Sequence, residues 1–418
     1  MLKRAAYEQK VSVDRLASVV RGALADAHGA SDEQVLEACQ KTVLTNEEAA
    51  SLRFRDKAAL VRKVFCTLRC ELEILQDLAD DPQVTEIMVN GCRDIFVERE
   101  SRTEKTDLYF ESPERLQQVI QRLAARVGRE INDLNPIVDA RLSDGSRINA
   151  VHSSIAIGGP ILTIRKFGKE RLTMERLIEN GDLTEEAAEF LDLMVRCGYN
   201  IFISGGTSSG KTTFLNILSD RIPRDERIVV FEDSAELQIR GHANLVRLEA
   251  RAAGSRGSGG VPMEKLIKTS LRMRPDRIIV GEVRGEEVID MLAAMSTGHD
   301  GSLSTGHANS TAGMLVRLET MARTGSDVPS SVVRTQIAEG IDLMVHLART
   351  RDSHRRVIEI SELCGVSGER YEINPLFIYR PRDGLVHTGN RLRDTYKLIM
   401  KGGEEEYEGL QIFKNENE

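Results

Sequence analysis

Residues 199–218 constrain this chain most, because an apolar strand runs there into a glycine-rich turn and then into an amphipathic helix. The turn, GGTSSGKTT, fits the phosphate-binding loop pattern G-x-x-x-x-G-K-[ST]. Glycines let such a loop turn its backbone N–H groups inward around a phosphate without clashes from Cβ atoms. The helix after the loop adds unpaired N–H groups and a favourable dipole. The chain is therefore predicted to bind a nucleoside triphosphate.

Residues of this loop are predicted to bind different groups of the nucleotide. Lys211 is expected to reach the β and γ phosphates, and the Thr212 hydroxyl is expected to bind Mg²⁺ at the start of the helix. The backbone of the loop is expected to enclose the phosphates. The predicted nucleotide-binding residues are Gly205, Gly206, Thr207, Ser208, Ser209, Gly210, Lys211, Thr212 and Thr213.

The composition of the chain narrows its class and its partners. Its 418 residues leave room for two or three domains, and 41% of them are apolar, which is enough to give each domain a core. Lys and Arg number 57 against 65 Asp and Glu, for a net charge of −8. No global positive field therefore draws the protein to nucleic acid, although a local basic channel stays open as an alternative.

Cysteine usage and hydropathy indicate a cytoplasmic protein. Six cysteines are scattered without a C-x-x-C pair, which argues against a zinc knuckle or a disulfide framework and for a reducing compartment. No uncharged run approaches the ~18 apolar residues that would span a bilayer. The N-terminus, MLKRAAYEQK, is basic, but the residues after it form an amphipathic pattern rather than a signal-peptide core. We expect the protein to stay in the cytoplasm.

The period of the apolar residues divides the chain into four parts. Apolar residues recur at helical spacing over 1–75 and at strand spacing over 76–167. Residues 168–185 are polar and form a plausible hinge, and over 186–418 segments with strand spacing alternate with segments with helical spacing. This predicts a helical segment, a small α+β domain, a linker, and a larger domain with a mostly parallel sheet. For the helical segment, a partner-binding bundle and a solvated extension both remain open. The strands predicted for the small domain are 84–91, 94–99, 106–110, 137–142, 146–152 and 160–167, and its helix starts at Ser112-Pro113.

The small domain carries three arginines on predicted strands: Arg141, Arg147 and Arg165. They are either exposed strand charges, which are common, or groups that reach a phosphate bound on a neighbouring subunit. Asp144-Gly145 predicts a hairpin between the first two. A strict two-residue turn would place Arg147 opposite Leu142, and Arg141 and Arg147 would then lie on opposite faces of the sheet.

Three strands of the larger domain end in reactive groups: Glu232, Glu282 and His307. Ligands sit at the carboxyl ends of parallel strands, where a carboxylate can hold Mg²⁺ or orient the attacking water. We predict that Glu282 orients the water and that Glu232 holds magnesium through bound water. The alternative for each is a surface carboxylate.

His299 and His307 could suggest a metal site. Their spacing matches no zinc pattern and no thiolate lies near them in the sequence, so a metal site is the weaker interpretation. We favour a sensing role for His307, in which the imidazole gives the γ phosphate a hydrogen bond that disappears on hydrolysis.

Four segments together resemble a known family. GGTSSGKTT, FEDSAEL, RPDRIIVGEVRG and STGHDGSLSTGHANS resemble, in order and spacing, the Walker A, Asp box, Walker B and His box of the secretion ATPase superfamily of type II and type IV secretion and type IV pili. Upstream, VTEIMVNG, DIFVER, DARLSDGSRINAV and ILTIRKF resemble the CpaF (TadA) branch, which drives tight-adherence (Flp) pili.

The resemblance implies a hexameric ATPase with a RecA-like P-loop domain behind a PAS-like α+β domain. ATP with Mg²⁺ would lie between the two domains, and nucleotide-driven motion would pass to an inner-membrane platform protein, so that membrane contact is indirect. Lys211, Glu282, Glu232 and His307 match the motif positions of the family. Arg147 and Arg165 match the arginines of its small domain, and Arg141 is a weaker match.

One position departs from the usual Walker B pattern, and two other functions compete. Gly281 stands where an aspartate usually precedes the glutamate, a form shared by the superfamily that leaves the protein partner of magnesium open. A DNA-translocating or conjugation-type ATPase is the alternative, although aromatic residues are only 4% of the chain. A nucleotide-binding scaffold without turnover would be expected to lack Lys211 or Glu282, and both are present.

Overall fold

The computed structural model describes residues 12–24, 30–99, 102–142, 144–166, 172–251, 259–324, 327–352 and 354–410. The chain divides into two compact units, here called the N-terminal unit, Met1–Glu170, and the C-terminal unit, Arg171–Glu418. Among the described residues, no helix combines the length and apolarity needed to cross a membrane.

Three packed helices form the first described part of the N-terminal unit, and capping residues set the starts of the first two. Ser12 caps the first, and Ser31 forms a capping box with Gln34 at the second. Their apolar faces enclose a small core that includes Leu16, Val35 and Val64. The helices are α1 (Val13–Ala23), α2 (Asp32–Thr45) and α3 (Phe54–Arg69), followed by a 3₁₀ turn (Glu73–Leu75) and the short α4 (Gln76–Asp80).

A six-stranded antiparallel sheet forms the rest of this unit, in the order β3-β2-β1-β6-β5-β4. One face packs against helix α5, which Ser112 caps and Pro113 begins, as the sequence predicted. The predicted strand 106–110 is wrong. Strand β3 lies at Arg102–Lys105, and Phe110 instead turns inward and is 3% exposed. The elements are β1 (Val84–Asn90), β2 (Asp94–Arg99), β3 (Arg102–Lys105), α5 (Pro113–Arg126), β4 (Ile137–Arg141), β5 (Arg147–Val151) and β6 (Ile161–Arg165).

The register of this sheet places the three predicted arginines side by side. Arg147 pairs with Arg141 on β4 and with Arg165 on β6. The strict two-residue turn is not formed, because Leu142 N donates to Ser146 O at 2.8 Å and the loop is wider. Directly opposed residues share a face of an antiparallel sheet, so the expectation of opposite faces is corrected. We call Arg141, Arg147 and Arg165 the arginine row.

The C-terminal unit is built on a nine-stranded sheet in the order β15-β14-β13-β12-β7-β11-β10-β8-β9. Six neighbouring strands are parallel, namely β12, β7, β11, β10, β8 and β9. Strands β13, β14 and β15 add an antiparallel edge. This confirms the predicted mostly parallel sheet. The strands are β7 (Ile201–Gly205), β8 (Ile228–Glu232), β9 (Leu245–Glu249), β10 (Arg277–Val283), β11 (Leu303–His307), β12 (Leu343–Arg349), β13 (Arg355–Ser367), β14 (Arg370–Arg380) and β15 (Gly384–His387).

Helices cover both faces of this sheet and form two apolar cores. Every residue of β7 and β8 is buried, as expected for strands sandwiched between helices. The segment predicted as a linker, 168–185, contains a helix whose Met174 and Leu177 pack into this core. The helices are α6 (Met174–Glu179), α7 (Glu185–Arg196), α8 (Lys211–Ser219), α9 (Met263–Ser270), α10 (Glu287–Met295), α11 (Thr311–Thr324), α12 (Ser330–Gly340), α13 (Tyr396–Lys401) and α14 (Glu404–Glu408).

Candidate active site

The phosphate-binding loop joins the end of β7 to the start of α8. Two of its residues, Ser208 and Gly210, have positive φ angles of 57° and 96°, which turns the backbone sharply. A Cβ atom on Gly205 would lie 2.5 Å from both Leu347 O and Ser209 Oγ, so this position requires glycine. The loop is therefore shaped by its own backbone and by close contact with the neighbouring strand β12.

Lys211 is the first residue of α8, and its ammonium group turns back over the loop. Nζ donates to Gly205 O at 3.2 Å and to Gly206 O at 3.0 Å. The residue is only 6% exposed, which a charged lysine tolerates when its donors are satisfied. The ammonium group is thus held at the mouth of the loop.

His307 and Glu282 extend this contact into a line of three side chains. Lys211 Nζ lies 3.2 Å from His307 Nδ1, and His307 Nε2 lies 2.9 Å from Glu282 Oε1. The parallel pairing of β7, β11 and β10 brings their carboxyl ends together and creates this arrangement. We call it the Lys211–His307–Glu282 chain.

The charge state of His307 is set by its neighbours. Burial, and after it the charge of Lys211, lower the pKa of His307, so the ring is neutral at pH 7. An ammonium group can only donate, so the lone pair of Nδ1 faces Lys211. The ring proton is then on Nε2 and faces Glu282.

Glu282 is held on one oxygen only. Oε2 accepts from Arg284 Nη2 at 3.0 Å, and Arg284 also lies 3.8 Å from Asp233. Oε1 is buried and touches His307 without alignment for a hydrogen bond, and no other described residue donates to it. A buried carboxylate oxygen in this state can accept a hydrogen bond from a water molecule.

Glu232, the predicted magnesium partner, is committed to its own loop. Its Oε1 accepts from the backbone N–H groups of Glu236 and Leu237, each at 2.6 Å, and its Oε2 lies 3.3 Å from Arg247. Burial raises the pKa of Glu232, and these three donors oppose that effect. The carboxylate therefore fixes the segment after β8, and a role in holding magnesium stays a prediction.

The glycine before Glu282 has a steric explanation. A Cβ atom on Gly281 would lie 3.1 Å from Glu232 Cγ and 3.3 Å from Phe231 O, closer than side chains normally pack. The neighbouring strand β8 thus occupies the space that an aspartate side chain would need. The departure from the usual Walker B pattern is explained by the close packing of β8 on β10.

Thr212 remains the predicted protein ligand of Mg²⁺. Its half-buried side chain is in the first turn of α8, next to Lys211. No cluster of three His, Cys, Asp or Glu side chains in the described ranges could hold a metal ion unaided. Mg²⁺ keeps several waters and binds through few protein groups together with phosphate oxygens, so one hydroxyl is compatible with it.

The remaining predicted residues separate into three groups. Thr207 and Ser208 are exposed at the loop, whereas Ser209 is buried behind it and Thr213 lies in the first turn of α8. His299 contacts Ala294 O at 3.1 Å at the end of α10, before β11 begins. The arginine row belongs to the N-terminal unit.

Arg284 was not predicted as a site residue. Its contact with Glu282 has a local signal, because Arg284 directly follows β10 and lies two positions after Glu282. The sequence RPDRIIVGEVRG carries this spacing, so the pairing could have been inferred.

Comparison with known proteins identifies the family. The family described as "Type II/IV secretion system protein" matches residues 69–388. The conjugal transfer protein TrbB of Rhizobium radiobacter is 32% identical over 324 residues, which cover 77% of this chain and 95% of TrbB. The type IV secretion system protein VirB11 of Brucella suis biovar 1 (strain 1330) is 32% identical over 323 residues, covering 70% of this chain and 88% of VirB11.

A solved structure supports the fold. The crystal structure of the pilus retraction motor PilT with bound ADP aligns with a TM-score of 0.50 at 19% identity, covering 81% of this chain and 87% of that one. The predicted RecA-like class and the predicted enzyme class are confirmed. The chain belongs to the type II/IV secretion system protein family and is an ATPase.

Proposed function

We propose that this ATPase cleaves ATP with the Lys211–His307–Glu282 chain. The observation that carries the proposal is the buried Glu282 Oε1, which no described residue engages by a hydrogen bond while Arg284 holds the other oxygen. Glu282 orients the attacking water, and Lys211 leaves the loop carbonyls to hold the β and γ phosphates. Thr212 would hold Mg²⁺ directly and Glu232 would act through water, and the ion would neutralise charge on the phosphate oxygens.

His307 senses the γ phosphate in this account. Its neutral ring lies between the lysine that holds the phosphate and the glutamate that orients water. Movement of Lys211 toward phosphate would change the partner of Nδ1, and loss of phosphate would reverse that change. The ring thereby reports the state of the nucleotide to β11.

The arginine row would complete the site of a neighbouring subunit in a hexameric ring. Three arginines stand in register on one sheet face, with Glu86 of β1 opposite Arg165 at the end of the row, and a row of guanidinium groups suits the charge that develops during phosphoryl transfer. Of the three, Arg147 is central and half-buried. We assign Arg147 the main role in stabilising this charge, with Arg165 and Arg141 supporting it.

The ring would power tight-adherence pilus assembly or protein secretion through a platform protein of the inner membrane, at whose cytoplasmic face it would lie. The net charge of −8 disfavours direct work on nucleic acid. Conjugal transfer is the second candidate, because one relative, TrbB, is a conjugal transfer protein.

Two assays distinguish pilus assembly or protein secretion from conjugal transfer. The full chain should sediment with membranes that contain the platform protein and stay in solution with membranes that lack it, and DNA binding should be weak. Strong DNA binding that falls steeply along a salt series, with sedimentation independent of the platform, would place conjugal transfer first.

A further inference from the structure

The start of β13 lies beside the phosphate-binding loop. Arg355 is the first residue of β13, and its side chain lies next to Gly210, the loop residue that precedes α8 as its N-cap. A Cβ atom on Gly210 would lie 3.5 Å from Arg355 Cδ and 3.8 Å from Arg355 Cβ. The apolar stem of this arginine therefore packs directly against the loop.

A second arginine stands opposite the first. Arg349, the last residue of β12, pairs in register with Arg355, and Leu347 pairs with Val357. Residues that are directly opposed, or two apart on one strand, share a face of the sheet. Leu347 marks the face toward the loop, because its Cδ2 would lie 4.0 Å from a Cβ atom on Gly210. Both arginines are exposed on this same face.

Two opposed arginines at this place favour a bound anion. Like charges directly opposite each other destabilise an antiparallel pair, and an anion beside the two guanidinium groups offsets that repulsion. Helix α8 begins here without a side-chain cap, so its first N–H groups and its dipole also attract an anion. Arginine binds phosphate oxygens through paired hydrogen bonds. The arginine pair and the helix start thus both suit a phosphate group.

The order of the strands gives the direction in which a nucleotide lies across the loop. The Lys211–His307–Glu282 chain extends from the loop to β11 and β10, on one side of β7. Strands β12 and β13, with the two arginines, lie on the other side. Because Glu282 is proposed to orient water at the γ phosphate, the γ phosphate lies toward β10. The phosphate that carries the nucleoside then lies toward β12.

We propose that Arg355 is a further nucleotide-binding residue, which holds the α phosphate of ATP and of ADP, with Arg349 beside it. A stem that already touches Gly210 can bring the N–H donors beyond Cδ to a phosphate at the start of α8. The inference rests on the proposed binding of the phosphates by this loop. The contact is on the side away from the reacting phosphate, so it contributes to nucleotide binding rather than to the chemical step.

Two substitutions separate the charge of Arg355 from its packing. Arg355→Met keeps an apolar stem against Gly210 and loses the charge, whereas Arg355→Lys keeps the charge without the paired donors. In the 418-residue chain, Arg355→Met should raise KM for ATP about tenfold and leave kcat within about twofold, because the contact is equal in the ground state and the transition state. Arg355→Lys should recover part of the lost affinity.

The dissociation constant of ADP, measured by isothermal titration calorimetry with Mg²⁺, tests which phosphate is held. Since ADP lacks only the γ phosphate, its Kd should rise in Arg355→Met by the same factor as KM for ATP. A raised KM for ATP with an unchanged Kd for ADP would place the arginine at the γ phosphate and overturn the inference. Equal affinities of the Met and Lys variants, or parent affinity in the Met variant, would overturn it too.

Two further variants complete the test. Arg370→Ala is the matched control for lost charge, because Arg370 is exposed opposite Ser367 at the other end of β13, and it should match the parent in KM and in the Kd of ADP. An equal loss of affinity in Arg370→Ala would contradict a specific contact. If Lys211→Ala loses ATP binding while Arg355→Met keeps it, only this inference fails. Normal ATP binding by Lys211→Ala would overturn both this inference and the proposed site.

Discussion

The neutral state of His307 is the most consequential feature at the residue scale. The ring accepts from Lys211 on one nitrogen and presents N–H to Glu282 on the other, and only the neutral form can do both. Protonation would place a second N–H against an ammonium group. The arrangement therefore holds only above the lowered pKa of this histidine.

The rate of hydrolysis should accordingly depend on pH. The pKa of His307 beside Lys211 lies below its ordinary value of 6.5, so kcat/KM for ATP, which reports the free enzyme, should be level near pH 7 to 8 and fall as the pH drops below about 6.5 and the ring becomes charged. His307→Asn should be slower at pH 7 but flat over the same range.

His242 provides the control for this pH profile. It is a buried histidine whose pKa is also lowered by burial, and it lies outside the Lys211–His307–Glu282 chain. His242→Gln should keep the acid fall in kcat/KM. An unchanged acid fall in His307→Asn, or its loss in His242→Gln, would contradict the assignment to His307.

The residues of the site differ in how far the sequence could predict them. Lys211 and Thr212 are fixed by a local motif, and Glu282 and His307 are predicted by the rule that strand ends meet at one edge of a parallel sheet. The close packing of Leu347 O on Gly205 depends on which strand lies next to β7. No local pattern carries that information.

At the scale of elements, the packing of β8 against β10 decides what can precede Glu282. Gly281 lies against Glu232, whose carboxylate in turn holds the backbone at Glu236 and Leu237. Any side chain at 281 presses on the Cγ atom of this buried glutamate. The elements thus couple the Walker B strand to the segment after β8.

Gly281→Asp should therefore be damaging. It places a charged side chain against the neighbouring strand β8. We therefore expect the free energy of unfolding to fall by roughly 1–3 kcal/mol and ATPase activity to be lost. Gly281→Ala should also lower stability and ATPase activity, but by less. Thermal melts and steady-state rates measure both, and a Gly281→Asp protein as stable and active as the parent would contradict the steric explanation.

The N-terminal unit shows where reading strands from sequence succeeds and fails. The alternation of apolar residues correctly predicted five of its six strands. Residues 106–110 show the same alternation but form no strand, and Phe110 is buried. The strands were recognisable, whereas the width of the loop at Asp144-Gly145 was not. That width alone decides whether Arg141 and Arg147 share a face.

At the scale of the whole molecule, the account requires a ring in which each site uses two subunits. The Lys211–His307–Glu282 chain belongs to the C-terminal unit and the arginine row to the N-terminal unit. Substitutions in the two units should then complement each other in mixed rings.

Mixing Arg147→Ala and Lys211→Ala proteins should restore activity. Each is expected to be inactive alone, but a 1:1 mixture that exchanges subunits contains intact interfaces at about a quarter of positions. Lys211→Ala mixed with Glu282→Gln is the control, since both changes fall in one unit and no intact site can form. No gain from the first mixture, or a full rate from dilute monomer, would contradict a shared site.

The most direct test of the central claim measures ATP affinity and turnover in two variants of the 418-residue chain. Lys211→Ala should lose both together, because the ammonium group contacts phosphate in the ground state and in the transition state. Glu282→Gln should bind ATP nearly as the parent does and turn over at least about a hundredfold more slowly, because only the water is misplaced. The exposed Glu286→Gln, four residues away, should match the parent in both quantities. Ordinary turnover by Glu282→Gln would remove the Lys211–His307–Glu282 chain from the mechanism.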